Sequence, residues 1–185
     1  MTVTYPQPSA ERSALLEQIR QRALFRGEFT LSSGLTADYY VDLRRINLAG
    51  ATAPLVGRVM LETVRDLEFD AVGGLTMGAD PMATAIMYAA LAEGRELDAF
   101  VVRKAGKAHG LQRRIEGPDV AGRRVLIVED ASTTGNSPLA AAEAVREAGA
   151  EVVAVACIIE RGAEQAITEA GLPYYAAYSL ADLGV

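Results

Sequence analysis

The sequence predicts an α/β fold built on a central, mainly parallel sheet flanked by helices. Residues 125–128 are four consecutive apolar residues without alternation, which is typical of a strand covered on both faces. Strand and helix patterns alternate along the chain, and neither internal repeats nor linkers interrupt them. Half of the 185 residues are hydrophobic, which is enough for a sizeable core. We therefore expect residues 1–185 to form one domain.

The N-terminal region predicts a helix followed by short strands. Ser9 can cap a helix that ends before Gly27. The apolar residues at helical spacing are Leu15, Leu16, Ile19, Ala23 and Leu24. Residues 28–46 then change to strand patterns joined by a turn at Gly34.

Two adjacent tyrosines, Tyr39 and Tyr40, belong to the second of these strands. Adjacent residues of a strand point to opposite faces of the sheet. One tyrosine could therefore pack inward while the other lines a pocket. Alternatively, both could be half-buried strand aromatics, which need no ligand.

A glycine-rich loop follows the next predicted strand. Residues 52–66 predict a helix, and a strand is predicted near residues 70–74. The glycines of residues 73–78 would let backbone amides approach an anion, although the Lys-Ser/Thr pair of a P-loop is absent. Asp80 precedes Pro81 at the start of the next helix. We interpret Asp80 as the N-cap of that helix rather than as a chemical group of a site.

The segment 103–122, after a strand predicted at residues 98–102, concentrates positive charge. Its cations and the one histidine of the chain are Arg103, Lys104, Lys107, His109, Arg113 and Arg114. Four glycines and Pro118 interrupt regular structure, so we expect a mobile surface loop between two sheet strands. In isolation this would be a solvated basic loop. Beside a phosphate site it could cover a diphosphate and exclude water.

The strongest functional signal lies in residues 125–137. The predicted strand leads at its C-terminal end to two carboxylates, Glu129 and Asp130, and then to a small polar loop. Ser137 suits the N-cap and Pro138 the first position of the helix that follows. Free N–H groups and the helix dipole bind phosphate at such a helix start. Because the carboxylates would repel a bare phosphate, we expect ribose hydroxyls or a metal ion between them and the anion.

The remaining C-terminal pattern is regular. Gly149 suits the C′ position of that helix, and a strand at residues 151–159 carries Arg161 to the edge where ligands bind in open α/β folds. Residues 168–171 end another helix, and residues 174–178 predict the last strand.

Charge and cysteine content limit the possible functions. A formal net charge of −6 disfavours a surface that coats nucleic acid. Cys157 is the single cysteine, cannot form an internal disulfide, and is interpreted as a buried small hydrophobe. The first residues lack an apolar targeting segment, and no apolar run is long enough to span a membrane. We expect a soluble cytoplasmic protein.

Residues 125–137 closely resemble the phosphoribosyl-diphosphate (PRPP) signature of type I phosphoribosyltransferases, which is a strand, two acids and a Thr-Thr-Gly loop. More specifically, the pattern Arg103-Lys104-x-x-Lys107-x-His109-Gly110 resembles the catalytic loop of the orotate phosphoribosyltransferase family. The motifs Phe29-Thr30-Leu31-x-Ser33-Gly34 and Tyr39-Tyr40, together with Arg161, resemble the same family. The likeness covers nearly the whole chain.

This resemblance implies a fold and a reaction. The fold would be the type I phosphoribosyltransferase fold, with an N-terminal helix and small hood at about residues 1–50 and a core at residues 51–185. The reaction would convert PRPP and orotate to orotidine 5′-monophosphate and diphosphate with Mg²⁺, in pyrimidine nucleotide synthesis. A homodimer is also implied, in which the loop of residues 103–110 reaches the neighbouring subunit's site.

The resemblance also implies roles for the matching residues. The catalytic residues would be Lys104, Lys107, His109 and Asp130. PRPP would be bound by Arg103, Lys104, Lys107, His109, Glu129, Asp130, Ala131, Ser132, Thr133, Thr134, Gly135, Asn136 and Ser137. Orotate would be bound by Thr133 and Arg161. No protein ligand to a metal is implied, because Mg²⁺ is expected mainly through PRPP and water.

Three positions depart from the family pattern. Ser32 stands where many members carry lysine, Met77 stands near a commonly basic position, and Glu129 replaces a commoner aspartate. A phosphoribosyltransferase for another base remains an alternative. A PRPP-sensing regulator that binds nucleic acid is a second alternative, and the net charge disfavours it.

Overall fold

The computed structural model describes residues 2–30, 36–104 and 114–185. Its elements, in chain order, are α1 (Ala10–Arg22), β1 (Leu24–Thr30), β2 (Thr36–Val41), α2 (Arg44–Asn47), α3 (Ala53–Thr63), β3 (Ala71–Leu75), α4 (Ala79–Ala92), β4 (Asp98–Val102), β5 (Ile115–Glu116), β6 (Arg124–Ser132), α5 (Asn136–Glu147), β7 (Glu151–Glu160), α6 (Glu164–Glu169), β8 (Tyr174–Ser179) and α7 (Leu180–Leu183). Within these described ranges, no helix is both long enough and apolar enough to cross a membrane.

Six strands form one sheet in the order β5-β4-β3-β6-β7-β8. All neighbours pair in parallel except β4 and the two-residue β5, which are antiparallel. The order reverses between β3 and β6, because the chain proceeds outward from β3 to β4 on one side and from β6 to β7 on the other. In open α/β sheets the ligand crevice lies at the carboxyl ends of the strands at such a reversal. The predicted mainly parallel α/β sheet is confirmed.

The centre of the sheet is buried on both faces. The four predicted core residues of β6, Val125, Leu126, Ile127 and Val128, are completely inaccessible to solvent. Leu126 and Val128 pack in one cluster with residues of α1, α3 and α4, while Val125 and Ile127 pack in a second cluster with residues of α5 and α6. Since burial of each such side chain contributes about 2 kcal/mol, this run fixes β6 at the centre of the sheet.

The N-terminal helix begins as predicted and ends earlier. Oγ of Ser9 accepts a hydrogen bond of 3.1 Å from the backbone N–H of Arg12, which caps α1. The helix ends at Arg22, so its predicted extension through Leu24 is wrong. Leu24 instead pairs with Val41 in β2, because a cross-strand pairing between distant parts of the chain overrides the local helical spacing.

A separate two-stranded sheet precedes the main sheet. β1 and β2 are antiparallel, and their register shifts between Arg26 and Phe29. We call the segment β1 to α2 the hood. The turn that the sequence predicts at Gly34 lies outside the described residues.

The start of α4 differs from the prediction. Gly78 occupies the N-cap position and Ala79 begins the helix, so Asp80 lies in its first turn. Oδ2 of Asp80 accepts a hydrogen bond of 2.7 Å from the hydroxyl of Thr76, which ties the helix to the preceding loop. The prediction that Asp80 is the N-cap is therefore wrong.

Candidate active site

A cleft of about 610 Å³ opens where the strand order reverses. Its walls come from the hood, the loop between β3 and α4, the end of β6 and the start of α5. The lining residues are Tyr40, Val41, Asp42, Leu43, Arg44, Leu75, Thr76, Met77, Gly78, Lys104, Glu129, Asp130, Ala131, Ser137 and Arg161. The site therefore collects parts of the chain more than a hundred residues apart.

The acid pair lies inside β6 rather than after it. β6 extends to Ser132, because Glu129 pairs with Cys157 and Ser132 with Glu160 of the neighbouring β7. The sequence predicts the carboxylates at the strand end, whereas in the structure the strand continues for two residues beyond Asp130. Both carboxylates nevertheless line the cleft.

The two carboxyl groups differ in environment. Glu129 is only 8% exposed, whereas Asp130 is partly exposed and its Oδ1 accepts a hydrogen bond of 2.7 Å from the N–H of Ala131. Burial, and next the charge of Asp130, raise the pKa of Glu129 to about 8. The buried carboxyl therefore keeps its proton near neutral pH, and the pair carries less negative charge than two free carboxylates.

The loop between β3 and α4 closes against these acids. A Cβ atom on Gly78 would lie 2.7 Å from Oε1 of Glu129 and 3.0 Å from Oδ1 of Asp130. Only glycine lets the backbone come so near to the carboxyl groups. The loop also contains a cis peptide bond between Thr76 and Met77.

The loop after β6 leads directly into the N-terminus of α5. Gly135 is the N-cap residue with φ +75°, and α5 begins at Asn136. Ser137 and Pro138 therefore occupy the second and third positions of the helix, and their predicted N-cap and first positions are wrong. A left-handed glycine makes the tight turn that a serine cap would not make. Ser137 still reaches the cleft.

Arg161 follows β7 and joins the same edge. Its backbone N–H donates a hydrogen bond of 2.9 Å to the carbonyl oxygen of Ser132, which fixes the residue beside the end of β6. Its guanidinium carbon lies 5.7 Å from the ring centroid of Tyr39. Among the described residues, the buried Nε of Arg161 has no hydrogen-bond partner. The side chain thus has donors available for a ligand.

The basic segment is described only at its two ends. Lys104 lines the cleft. Arg103 does not line the cleft. Its guanidinium lies 3.6 Å from a carboxylate oxygen of Glu116, and its backbone N–H donates a hydrogen bond of 2.7 Å to the carbonyl oxygen of Arg114. Lys107 and His109 lie outside the described residues.

The hood contributes Tyr40 to the cleft together with two residues that no motif includes. Of the two tyrosines, Tyr40 lines the cleft, while Tyr39 packs against the core and under Arg161, in agreement with the prediction that they face different surroundings. Asp42 and Arg44 also line the cleft. The consecutive residues 40–44 all line the cleft and Arg44 already begins α2, so no period-2 pattern in the sequence singles out Asp42 and Arg44.

In the part of the chain that the structure describes, no three His, Cys, Asp or Glu side chains converge into a metal site. The acidic donors of the cleft are Asp42, Glu129 and Asp130. Asp42 is already paired with Arg44 at 2.7 Å. The pair of Glu129 and Asp130 is therefore the oxygen donor set that remains for a divalent cation.

The sheet order, the cleft at its reversal and the acid pair before a helix N-terminus are those of a type I phosphoribosyltransferase, and the family model described as the phosphoribosyl transferase domain matches residues 45–171. The chain is 66% identical over 177 residues to an orotate phosphoribosyltransferase of Streptomyces avermitilis, with 94% of this chain and 97% of that protein covered. It therefore belongs to the orotate phosphoribosyltransferase family, as the motifs predicted.

Other relatives agree with this assignment. An orotate phosphoribosyltransferase of Corynebacterium glutamicum is 54% identical over 176 residues, with 94% of each chain covered. The crystal structure of the Mycobacterium tuberculosis orotate phosphoribosyltransferase in complex with PRPP has a TM-score of 0.82 and 49% identity, and the match covers 95% of this chain and 99% of that one.

Proposed function

We propose that this protein transfers the 5-phosphoribosyl group of PRPP to orotate, which gives orotidine 5′-monophosphate and diphosphate for UMP synthesis. One observation carries the proposal, namely that the acid pair at the sheet reversal leads straight into a helix N-terminus within a 610 Å³ cleft. The 66% identity to an orotate phosphoribosyltransferase supports orotate as the acceptor.

The 5′-phosphate is held by the loop that enters α5. The proposed PRPP contacts there are Ala131, Ser132, Thr133, Thr134, Gly135, Asn136 and Ser137. Backbone N–H groups without intrahelical partners and the positive end of the helix dipole favour a phosphate at this point. The left-handed Gly135 supports this role because it turns the chain without a side chain.

Glu129 and Asp130 contact the ribose hydroxyls. A proton held by the buried Glu129 lowers the repulsion between the acid pair and the phosphates. Asp130 keeps carboxylate oxygens that can accept from a hydroxyl. Mg²⁺ would lie beside this acid pair and would be held mainly by oxygens of PRPP and by water. It would neutralise charge on the departing diphosphate.

The reaction needs cations around the leaving group rather than a protein nucleophile. The bond between the anomeric carbon and a diphosphate oxygen breaks, and a ring nitrogen of orotate, which gives up its proton, forms the new bond. Negative charge grows on the diphosphate as it departs. We assign Lys104 and Arg103, with Lys107 and His109 outside the described residues, to this charge.

Orotate is held by Thr133 and Arg161. A guanidinium is suited to two parallel hydrogen bonds with the orotate carboxylate. The free Nε of Arg161 and the contact with Tyr39, which supports the guanidinium from one side, agree with this role.

The enzyme test combines purified protein, Mg²⁺, PRPP and one base at a time. We expect orotate to be consumed with release of diphosphate, while uracil, adenine and hypoxanthine are not. Absence of turnover with orotate would overturn the proposal, and turnover with another base alone would redirect it to that base.

Arg161→Ala tests the orotate assignment. Loss of one partner of a close charged pair should weaken orotate binding by about 2–5 kcal/mol and leave the KM for PRPP nearly unchanged. Arg146→Ala, which removes an exposed arginine in the last turn of α5, is the control. A variant with changed PRPP binding and unchanged orotate binding would show that the assignment is wrong.

We also propose that the protein is a cytoplasmic homodimer of one phosphoribosyltransferase domain, residues 1–185, with its N-terminal helix and hood at about residues 1–50 and its core in residues 51–185. A largely apolar groove of about 780 Å³ beside α2, α3 and α4 supports a second copy as partner. Leu48, Met77 and Tyr88 line it and are each more than 60% exposed.

Asn47, which lines this groove, also supports a second copy of the chain as the partner. Its side chain is buried, and both its amide oxygen and its amide nitrogen lack hydrogen-bond partners in the described structure. Across a twofold axis an amide can both donate to and accept from its own copy. Tyr88→Glu should therefore halve the mass measured by light scattering, whereas Tyr5→Glu, at an exposed tyrosine elsewhere, should not. An unchanged mass for Tyr88→Glu would exclude this face.

Loop sharing between subunits has its own test. Lys107→Ala and Asp130→Asn should each be nearly inactive. If the Lys107 loop of one subunit serves the Asp130 site of the other, mixed and re-associated variants should regain part of the activity through one intact site. No recovery after proven subunit exchange would argue against shared sites.

A further inference from the structure

We infer that Arg44 binds the diphosphate of PRPP from the hood side of the cleft and that Asp42 is its positioning residue. The inference rests on the proposed function and names a contact at that site to which the sequence motifs assign no role.

Arg44 is held in a defined orientation at the edge of the cleft. Its Nε donates a hydrogen bond of 2.7 Å to Oδ1 of Asp42, and its backbone N–H donates to the same oxygen at 3.3 Å. Nη2 lies 3.4 Å from the hydroxyl oxygen of Tyr40. In the described structure Nη1 has no hydrogen-bond partner. The guanidinium is therefore fixed through Nε and Nη2, while Nη1 remains available to a ligand.

The exposure of this pair suits an anion in the cleft. The Arg44 side chain is 47% exposed, whereas that of Asp42 is 22% exposed. The cation is thus the more accessible member of the pair. Ion pairs between exposed side chains contribute little to stability, so the pair is better explained by orientation of the cation than by folding energy.

The charge distribution around the cleft identifies the anion. The cations among the described lining residues are Arg44, Lys104 and Arg161. Arg161 lies beside Tyr39 and the end of β6, where orotate is placed. The diphosphate is the most highly charged part of the two substrates, so it is the part that gains most from a further cation in the cleft beside Lys104.

The loop between β3 and α4 does not provide that further cation. The side chains from the end of β3 and from this loop that line the cleft are those of Leu75, Thr76 and Met77, and the Thr76 hydroxyl already donates to Asp80. The loop therefore offers backbone groups and no cation. Arg44 and Asp130 line the same cleft. Because Asp130 is assigned to the ribose hydroxyls, a cation in that cleft can serve the part of PRPP that adjoins the ribose.

The test compares binding of three ligands by calorimetry in the presence of Mg²⁺. Arg44→Ala should weaken PRPP and inorganic diphosphate about tenfold or more, the effect of one lost charge-assisted hydrogen bond. Orotidine 5′-monophosphate, which lacks the diphosphate, should bind with nearly unchanged affinity. Arg44→Lys should recover part of the loss.

Two further variants isolate the cause. Arg45→Ala is the matched control, because Arg45 is the next residue of α2 and its guanidinium lies 5.0 Å from the ring centroid of Phe25 rather than in the cleft. Asp42→Asn should weaken PRPP binding less than Arg44→Ala does, because the cation remains but its orientation is lost. Circular dichroism checks that each variant is folded. If Arg44→Ala is not folded, the comparison of PRPP binding by Arg44→Lys and by wild type tests the role of Arg44 instead.

Each outcome is decisive. If Arg44→Ala and Arg45→Ala bind PRPP with the same affinity, the inference is wrong. It is also wrong if Arg44→Ala weakens the binding of orotidine 5′-monophosphate as much as that of PRPP, because Arg44 would then contact the orotate or the 5′-phosphate. Wild-type protein that binds PRPP but does not use orotate would overturn the proposed function and leave the Arg44 result standing.

Discussion

The backbone N–H of Asp130 donates a hydrogen bond of 3.2 Å to Oε1 of Glu129. The Glu129 side chain thus folds back toward its own strand, and two consecutive residues of β6 both present carboxyl oxygens to one cleft. Gly78 approaches both oxygens closely, since a Cβ atom added to it would lie within 3.0 Å of each. The energetic result is a buried carboxyl whose ionisation is opposed by burial and by its neighbour's charge.

Glu129 should make the ligand-free protein less stable as pH rises. Its ordinary pKa of 4.5 is raised to about 8, so between these values the folded protein holds a proton that the unfolded chain has released. The free energy of unfolding then falls with rising pH, since the unfolded state binds fewer protons. At about 1.4 kcal/mol per pKa unit, the total is on the order of a few kcal/mol.

Urea unfolding at pH 5 and pH 8.5 measures this effect. Glu129→Gln cannot titrate, so its stability relative to wild type should increase across the interval. Glu151→Gln, at an exposed carboxylate that begins β7, should follow wild type. Parallel pH curves for Glu129→Gln and wild type would mean that Glu129 is ionised in the folded protein.

Gly78→Ala should damage the site more than the fold. The new methyl group would lie 2.7 Å from Oε1 of Glu129 and would push the acid pair or the loop aside. We expect a loss of at least about tenfold in kcat/KM, because small displacements of reacting groups are costly. Gly50→Ala is the control, since nothing lies within 4 Å of its added Cβ. Wild-type kinetics for Gly78→Ala would show that the close approach is unimportant.

Gly135→Ala separates the cost of a left-handed turn from the cost of a damaged phosphate loop. Gly135 and Gly94 have φ values of +75° and +78°, so alanine at either costs about 1–2 kcal/mol of backbone strain. Only at Gly135 would the methyl group also meet other side chains, the nearest of them Ala166 at 3.2 Å. Both variants should lose stability, Gly135→Ala at least as much as Gly94→Ala, and PRPP binding should weaken for Gly135→Ala alone. Equal PRPP affinities would remove Gly135 from the phosphate site.

Local patterns in the sequence were sufficient where burial or a single backbone requirement decides the structure. The unalternated run of β6 is buried on both faces. Gly149 has the expected left-handed conformation after α5, and its N–H donates to the carbonyl oxygen of Arg146 at 2.9 Å. These features depend on neighbours close in the chain, so propensity and spacing were enough to predict them.

The sequence was insufficient where distant segments compete with local preference. Ser137 and Asp80 are good capping residues, yet the caps are Gly135 and Gly78, because the loops must turn sharply and approach the acids of β6. Arg44 reaches the cleft only because the hood folds over the sheet. No residue spacing within residues 36–47 indicates that the hood folds in this way.

Cys157 should be chemically silent in the folded protein. Its thiol is fully buried in β7 and lies 3.0 Å from the hydroxyl oxygen of Tyr174. Burial raises the pKa of this thiol, so very little of the reactive thiolate forms at neutral pH. Labelling by a disulfide reagent should therefore require unfolding and speed up steeply in urea. Ala121→Cys, at an exposed turn, should add one thiol that reacts at once in native buffer. Fast native labelling of the wild-type protein would instead mean that β7 and β8 separate locally, a motion that would also disturb Arg161 at the end of the same strand.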